Sequence, residues 1–226
     1  MKYELVIFDL DGTILDTLGE LMIAFNHALS KSGISPVTRE IMRSRVGNGA
    51  RNLVKKSIID HPEADEEKIL SDYREYYNLH CTENTDPYPG IPELFLDLKA
   101  HGIKIAVATN KSDAAARKLC EHCFPDTIDI VQGHVEGLPH KPDPAIINNM
   151  LKTFGISREK TLIVGDSDVD ILTADNAKTD HISVGWGYKD KEVLIRNGAD
   201  RIISSAQELK TIILGDRYET EDKDRY

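Results

Sequence analysis

From Leu5 to Phe8 the chain is an unbroken apolar run, which stops at Asp9 and Asp11, two acids spaced i, i+2, and then at Gly12. A short run of strand-favouring residues bounded by turn chemistry is the pattern of a strand buried on both faces inside a parallel sheet. The period then changes. Leu18, Leu21, Met22, Phe25, Ala28 and Leu29 recur at helical spacing until Gly33 and Pro36 stop them. Three more segments, about 38–45, 50–60 and 65–81, contain no strand-like run, and Ile69, Leu70, Tyr73 and Tyr77 share one face of the last. Residues 16–84 therefore predict an all-helical unit.

Past the loop Thr85-Asp86-Pro87-Tyr88-Pro89-Gly90, strands and helices alternate. A helix over 92–101 has Pro92 in its first turn and Gly102 just beyond its end, 104–109 is a second buried strand, and Ser112 is placed to cap a helix reaching about Cys123. A third strand covers about 128–132, and Asp143-Pro144 opens a helix with Ile146, Ile147, Met150, Leu151 and Phe154 on one face, closed by Gly155. A fourth strand at 161–164, a helix at about 168–178 and weaker strands at 181–184 and 200–204 complete the pattern. This alternation predicts right-handed βαβ units: an α/β protein with a doubly wound parallel sheet, the first strand central and the helical unit inserted directly after it. Residues 1–15 and 85–215 would form the core, with 16–84 the insertion. The stretch 216–226 is charged, lacks apolar periodicity and is expected to be a disordered tail. A length of 226 residues suits one core domain carrying a smaller insertion.

Charge and cysteine usage narrow the partners. Lysine and arginine number 28 against 38 aspartates and glutamates, a formal charge of −10, and no basic stripe runs along any segment, which argues against a nucleic-acid partner. No apolar run reaches the ~18 residues that span a membrane, and the chain enters a strand without the basic and apolar regions of a signal peptide. A cytoplasmic protein without a membrane partner, working as a monomer or homodimer, is expected. The odd set Cys81, Cys120 and Cys123 makes no disulfide framework and fits a reducing compartment.

In a doubly wound fold, four groups would meet past the C-terminal ends of the strands, where such sheets bind ligands. They are Asp9 and Asp11, Thr109-Asn110-Lys111, Lys141-Pro142, and the run from Gly165 through Asp166 and Asp168 to Asp170. Taken singly each has a structural explanation: turn chemistry for Thr-Asn, a solvated charge for the lysine, a helix cap for the aspartates. Their order and placement together point to chemistry. Carboxylates crowded into one crevice cannot all stay ionised without a cation, and hard oxygen ligands select Mg²⁺. Mg²⁺ commonly takes one or two protein carboxylates plus a substrate phosphate oxygen, so a small phosphorylated metabolite is the implied partner. Thr109, the amides at Asn110 and Lys111, and the Lys141 ammonium are the donors available to a phosphoryl group. With no serine or cysteine there paired to a histidine base, the nucleophile would be a carboxylate forming an aspartyl-phosphate, one aspartate attacking and the other moving the proton.

The set Asp9-Leu10-Asp11-Gly12-Thr13, Thr109, Lys141 and Gly165-Asp166-x-x-x-Asp170 resembles the four motifs of the haloacid dehalogenase superfamily over nearly the whole chain. The resemblance implies a Rossmann-like core, Asp9 as nucleophile, Asp11 as general acid and base, and Thr109 and Lys141 as phosphoryl-binding groups. It also implies that Asp9, the Asp11 backbone carbonyl and Asp166 hold Mg²⁺, with Asp170 supporting them from behind. Members that displace halide lack the second aspartate, so the presence of Asp11 favours phosphate chemistry. The helical insertion resembles the small cap of the superfamily, with hinges expected near 16–18 and 86–90. Gly47-Asn48-Gly49 followed by Leu53, Thr109-Asn110-Lys111 and Gly185-Trp186-Gly187-Tyr188 resemble the phosphoglycolate phosphatase branch, features that recur in pyrophosphatases and other small-phosphate hydrolases. The cap glycines would bring backbone amides to a substrate carboxylate with Arg51 as a cationic partner, or would only make a tight turn between helices.

The expectation is a Mg²⁺-dependent phosphatase of a small metabolite, phosphoglycolate first. The alternatives are a pyrophosphatase, a sugar phosphomutase, and, in another class, a phospholigand-binding module without catalysis. Relatives usually place glycine where Lys178 ends a helix, so a left-handed Lys178 would cost roughly 1–2 kcal/mol. Cys120-Glu121-His122-Cys123 lacks a second ligand pair for zinc and lies at the wrong end of its helix for a redox pair. His80, His134 and His140 lack partners at catalytic spacing; His140, which adjoins Lys141 at the site, is read as a loop histidine, and Tyr73, Tyr76 and Tyr77 as packing of the insertion or its contact with another subunit.

Overall fold

The computed structural model describes residues 2–215, so the expectation for the tail lies outside the described residues. The elements in order are β1 (Leu5–Phe8), β2 (Leu15–Asp16), α1 (Leu18–Lys31), α2 (Arg39–Arg45), α3 (Ala50–Ser57), α4 (Glu66–His80) and β3 (Asp86–Pro87). There follow α5 (Ile91–Ala100), β4 (Lys104–Ser112), α6 (Asp113–Cys123), β5 (Ile130–His134), α7 (Ala145–Phe154), β6 (Thr161–Gly165), α8 (Asp168–Ala177), β7 (Asp180–Val184), α9 (Lys191–Arg196), β8 (Ile202–Ile203) and α10 (Ala206–Leu214). Six strands make one parallel sheet in the order β5-β4-β1-β6-β7-β8, an α/β doubly wound core with β1 inside it.

Alternate residues of β1 feed opposite layers. Leu5 and Ile7 pack with Ala106, Ala108 and Ile163 against Ile147 and Met150 of α7 and Ala174 of α8. Val6 and Phe8 face the other way, toward Phe95 of α5 and the cluster that continues into the helical insertion. There Phe8 and Phe95 lie 5.0 Å apart, and Phe95 and Phe124 4.9 Å apart, both pairs tilted as aromatic quadrupoles prefer. Because β1 pairs with β4 through Phe8↔Val107 and with β6 through Phe8↔Val164, the last residue of β1 stands level with Val107 and Val164. Asp9, Thr109 and Asp166 are thereby delivered to one edge.

The insertion is helical from Leu18 to His80, with α1 packed on α4 and Phe25 edge-on to Tyr73 at 5.8 Å. Thr38 and Asp65 cap α2 and α4, accepting from the amides of Ile41 and Lys68. Its two connections to the core are joined by a small antiparallel pairing, Leu15↔Pro87 and Asp16↔Asp86.

Several local expectations need correction. Ser112 precedes α6 without a side-chain capping bond; β4 runs on to it, and Asp113 Oδ1 instead accepts from the Gly133 amide at 2.9 Å. β5 starts later than expected because Asp129 completes the ladder by itself, its amide donating to Ile105 O and its carboxylate accepting from the Ile105 amide. The short helices α9 and α10 carried no recognised signal. Lys178 does adopt the left-handed conformation, at φ 57° and ψ 46°.

Candidate active site

The site lies past the C-terminal ends of β1, β4 and β6, under a cavity of about 340 Å³ whose other wall is the insertion, including residues 46–53, Tyr73 and Tyr77. Lys141 is its hub. Its ammonium donates to Asp9 Oδ1 at 2.7 Å, to Asp170 Oδ1 at 2.7 Å and to Ala108 O at 2.8 Å. Asn110 holds the Lys141 backbone from both sides, accepting from its amide at 2.8 Å and donating to its carbonyl at 3.1 Å. The same Asn110 amide reaches Gly47 O at 3.1 Å, so the residue also ties the core to the insertion. Thr109 is buried beside them, its hydroxyl accepting from the Lys111 amide.

Asp9, Asp166 and Asp170 each offer a carboxylate oxygen within 4.8 Å of the others. Asp170 is fixed by the Ser167 amide and hydroxyl, which both donate to its Oδ2, at 3.1 and 2.6 Å. The Tyr188 amide donates to Asp166 Oδ2 at 2.6 Å. Close approach is built into the backbone: Gly12 has φ +84°, and a Cβ there would stand 2.5 Å from Asp166 Oδ2, so no side chain fits.

Electrostatics separate the three acids. Burial pushes the Asp9 carboxyl up to about 7, with Lys141 pulling the other way. Burial, then the charges of Asp170 and Asp9, hold Asp166 well above the usual carboxylate range. Burial acts on Asp170 in the same sense, but Lys141 and Ser167 outweigh it and keep that carboxyl low. Among the described residues Asp166 has no ion-pair partner, so a nearly buried acid faces two others with one ammonium between the three. Such an all-oxygen set fits a hard divalent cation, which would relieve the repulsion and let all three ionise.

Asp11 stands apart from that cluster. Its Oδ1 accepts from Lys111 Nζ at 2.7 Å and from the Thr17 hydroxyl at 2.5 Å. Tyr188 braces Thr17, its hydroxyl accepting from the Thr17 amide at 2.9 Å, and Trp186 Nε1 donates to Thr13 O at 3.0 Å. The Gly185-Trp186-Gly187-Tyr188 stretch thus clamps the turn that follows β1.

In the insertion, Gly47, Asn48, Gly49 and Arg51 all line the cavity. The Arg51 guanidinium, expected to offer a cation to substrate, is turned to Glu66 and Glu67. Gly49, at φ +80°, lies over His140, where a Cβ would come within 3.1 Å of the ring. His140 stacks on His134 with ring centres 3.6 Å apart, and burial lowers both imidazoles below their ordinary value. Burial raises Cys120 to about 12 and Cys123 to about 11, so neither is a reactive thiolate. Sequence reasoning missed the side chains of Lys111, Thr17 and Tyr77, whose roles appear only where the insertion meets the core.

A parallel sheet whose strand ends gather three carboxylates around a buried lysine is an α/β core with a polar cluster at the edge where such sheets bind ligands. The haloacid dehalogenase-like hydrolase profile matches residues 6–184, and the chain belongs to that family. Over 192 residues it is 35% identical to the phosphoglycolate phosphatase of Agrobacterium fabrum, covering 82% of each chain. Among solved structures it is similar to a Lactobacillus delbrueckii subsp. bulgaricus protein provisionally assigned as a phosphoglycolate phosphatase, with TM-score 0.89 and 33% identity, covering 96% of this chain and 100% of that one. It is also similar to CbbY from Rhodobacter sphaeroides, solved in complex with phosphate, with TM-score 0.79 and 26% identity, covering 92% and 96% of the two chains.

Proposed function

We propose that this chain is a Mg²⁺-dependent phosphatase of small phosphorylated metabolites, phosphoglycolate first, working through an aspartyl-phosphate on Asp9. The observation that carries the reading is the placement of the Asp9 carboxylate against the Lys141 ammonium, within 4.8 Å of Asp166 and Asp170, at the floor of a cavity of about 340 Å³. That volume is at the small end for ligand sites, which suits a compact metabolite. The likeness to phosphoglycolate phosphatases supports the substrate class.

Asp9, the Asp11 carbonyl and Asp166 would hold the cation, with Asp170 behind them. When bound, Mg²⁺ neutralises the acids and draws charge from the phosphoryl oxygens. Asp9 attacks phosphorus in line with the leaving oxygen, while Lys141 and Thr109 bind the equatorial oxygens as negative charge spreads over them. Asp11 donates a proton to the departing alkoxide, then takes one from the water that hydrolyses the aspartyl-phosphate. The insertion, 16–84, acts as a cap that keeps bulk water out during the first step.

The test is phosphate release from a panel of small phosphomonoesters, with and without Mg²⁺, for the wild type and Asp9→Asn. Loss of turnover by a factor of ~10³ or more in a folded variant is expected, by analogy with removal of other enzymatic nucleophiles. Near wild-type hydrolysis by Asp9→Asn would refute the covalent mechanism.

A further inference from the structure

Phosphoryl binding leaves the Lys111 ammonium unexplained. It sits 2.7 Å from Asp11 Oδ1, with the two side chains only 6% and 14% exposed, and 4.6 Å from the centre of the Tyr77 ring. Asp11 and Lys111 belong to the core, past β1 and within β4, whereas Tyr77 belongs to α4 of the insertion. Other contacts close the same seam. Asn110 bonds to Gly47 O, and Lys118 Nζ donates to the carbonyls of Asn78 and Leu79 at 2.7 and 3.0 Å. The ammonium is therefore held between a carboxylate of the core and an aromatic face of the insertion, an arrangement in which cation–π attraction and a charge-assisted hydrogen bond act together.

A lysine carries a point charge on a flexible stem, without the fixed fork of arginine. Nothing in Lys111 itself dictates where its nitrogen rests; Asp11 in the core and the Tyr77 ring of α4 place it together, and the second is present only while α4 lies on the core. Asp11 in turn receives two donors on one oxygen, Lys111 and Thr17, which hold its carboxylate in one orientation. The Tyr77 hydroxyl is buried without a hydrogen-bond partner among the described residues, so what the residue contributes at this seam is its ring.

We propose that Lys111 is a positioning residue for Asp11, and that Tyr77 makes this positioning conditional on docking of the helical insertion. The proposal rests on Asp11 being the group that protonates the leaving oxygen. It couples two events that a phosphatase benefits from joining: Thr17 gives Asp11 one donor from its own turn, and Lys111 completes the alignment when the cavity is shut against water. An ester whose leaving group departs without a proton should be insensitive to this device, and an alkyl ester should depend on it.

The experiment compares kcat and KM for phosphoglycolate, an alkyl ester, with those for p-nitrophenyl phosphate, whose phenolate needs no acid. The variants are Lys111→Met, Lys111→Arg, Tyr77→Leu and Tyr77→Phe, all in saturating Mg²⁺. Lys111→Met and Tyr77→Leu are expected to lower kcat on phosphoglycolate at least tenfold more than on the aryl ester, within the ~10²–10⁴-fold range of general acid catalysis. Lys111→Arg and Tyr77→Phe should bring that ratio back to within about threefold of wild type, since each keeps the charge or the ring. Calorimetric titration with Mg²⁺ should give each variant the wild-type affinity within about threefold, because none of the exchanged atoms is a carboxylate of the cluster. Equal losses on both esters, a loss confined to KM, or loss of Mg²⁺ binding in Lys111→Met would overturn the proposal. Turnover of both esters by Asp9→Asn would instead overturn the underlying mechanism, whatever Lys111 does.

Discussion

Replacing Asp166 by asparagine should stabilise the metal-free protein while removing its response to Mg²⁺. The magnitude follows from the charges. Asp166 lies within 4.8 Å of Asp9 and Asp170, and Lys141, bound to both of those, offsets one of the two negative charges. One uncompensated neighbour at that distance would repel an ionised Asp166 by about 3.5 kcal/mol at an effective dielectric constant of 20, and without a cation the acid escapes part of this by holding a proton, so the figure is an upper bound. Asparagine keeps an oxygen for the Tyr188 amide, which now donates to Asp166 Oδ2, but accepts a neutral bond where a charge-assisted one stood, giving back roughly 1 kcal/mol. The net gain is thus at most about 2.5 kcal/mol, which corresponds to a rise of no more than roughly 5–10 °C in Tm for a chain of this size. Differential scanning calorimetry in EDTA measures it directly. With Mg²⁺ in excess the order should reverse, because ligand binding stabilises only the protein that retains the site, by about 2.7 kcal/mol at a hundredfold excess over Kd. If Asp166→Asn melts below wild type in EDTA, or if Mg²⁺ raises both Tm values equally, the picture of three mutually repelling acids awaiting a cation is wrong.

Lys178→Gly removes the left-handed strain that ends α8, which outweighs glycine's unfolded-state entropy at this φ, and should raise stability by about 1 kcal/mol in urea denaturation. Gly49→Val places a branched side chain at φ +80° against His140, and should raise KM for the best phosphomonoester at least tenfold in steady-state assays while the core keeps its far-ultraviolet circular dichroism. His134, His140 and His181 are held below their ordinary value of 6.5 chiefly by burial, so between that value and their lower folded ones the unfolded chain binds more protons. Their contribution is complete above 6.5 and is lost as pH falls below it; a Tm series from pH 7.5 to about 5 should fall, and His134→Gln/His140→Gln should flatten part of the fall.

The edge that carries the candidate site was legible because a parallel sheet writes itself plainly. β1, β4 and β6 are buried on both faces, so each is a continuous apolar run, and residues adjacent to such runs in sequence arrive together in space. The placement of Asp9, Thr109 and Asp166 at one edge needed nothing more than that; of the four helices between Leu18 and His80, the first and last announced themselves by period and the two between them chiefly by the lack of a strand-like run. What stayed hidden depends on side chains that meet across the fold. Asp129 replaces a ladder residue with its carboxylate, shifting β5, and a hydrogen bond of that kind leaves no periodic trace. Arg51 is surrounded by Glu66 and Glu67 only because α4 begins beside α3. Lys111 was visible as a backbone amide near a strand end, but its ammonium finds Asp11 and Tyr77 only after a helix from the insertion is laid over the sheet. The Thr17–Tyr188 contact likewise joins opposite ends of the chain.

The two-residue pairing of Leu15 with Pro87 and Asp16 with Asp86 makes the helical insertion, in topological terms, one long excursion from a hairpin. Its outgoing and returning strands are already held at hairpin spacing, so a connector of two to five residues between Asp16 and Asp86 would satisfy the geometry of the junction. Whatever is hung on that clasp can change in size and sequence without moving Asp9, whose position is fixed by β4 and β6 on either side. A different insertion set on these two rungs would find Asp9 where it stands now, and would need an aromatic side chain facing Lys111 to restore the contact that Tyr77 makes across the seam.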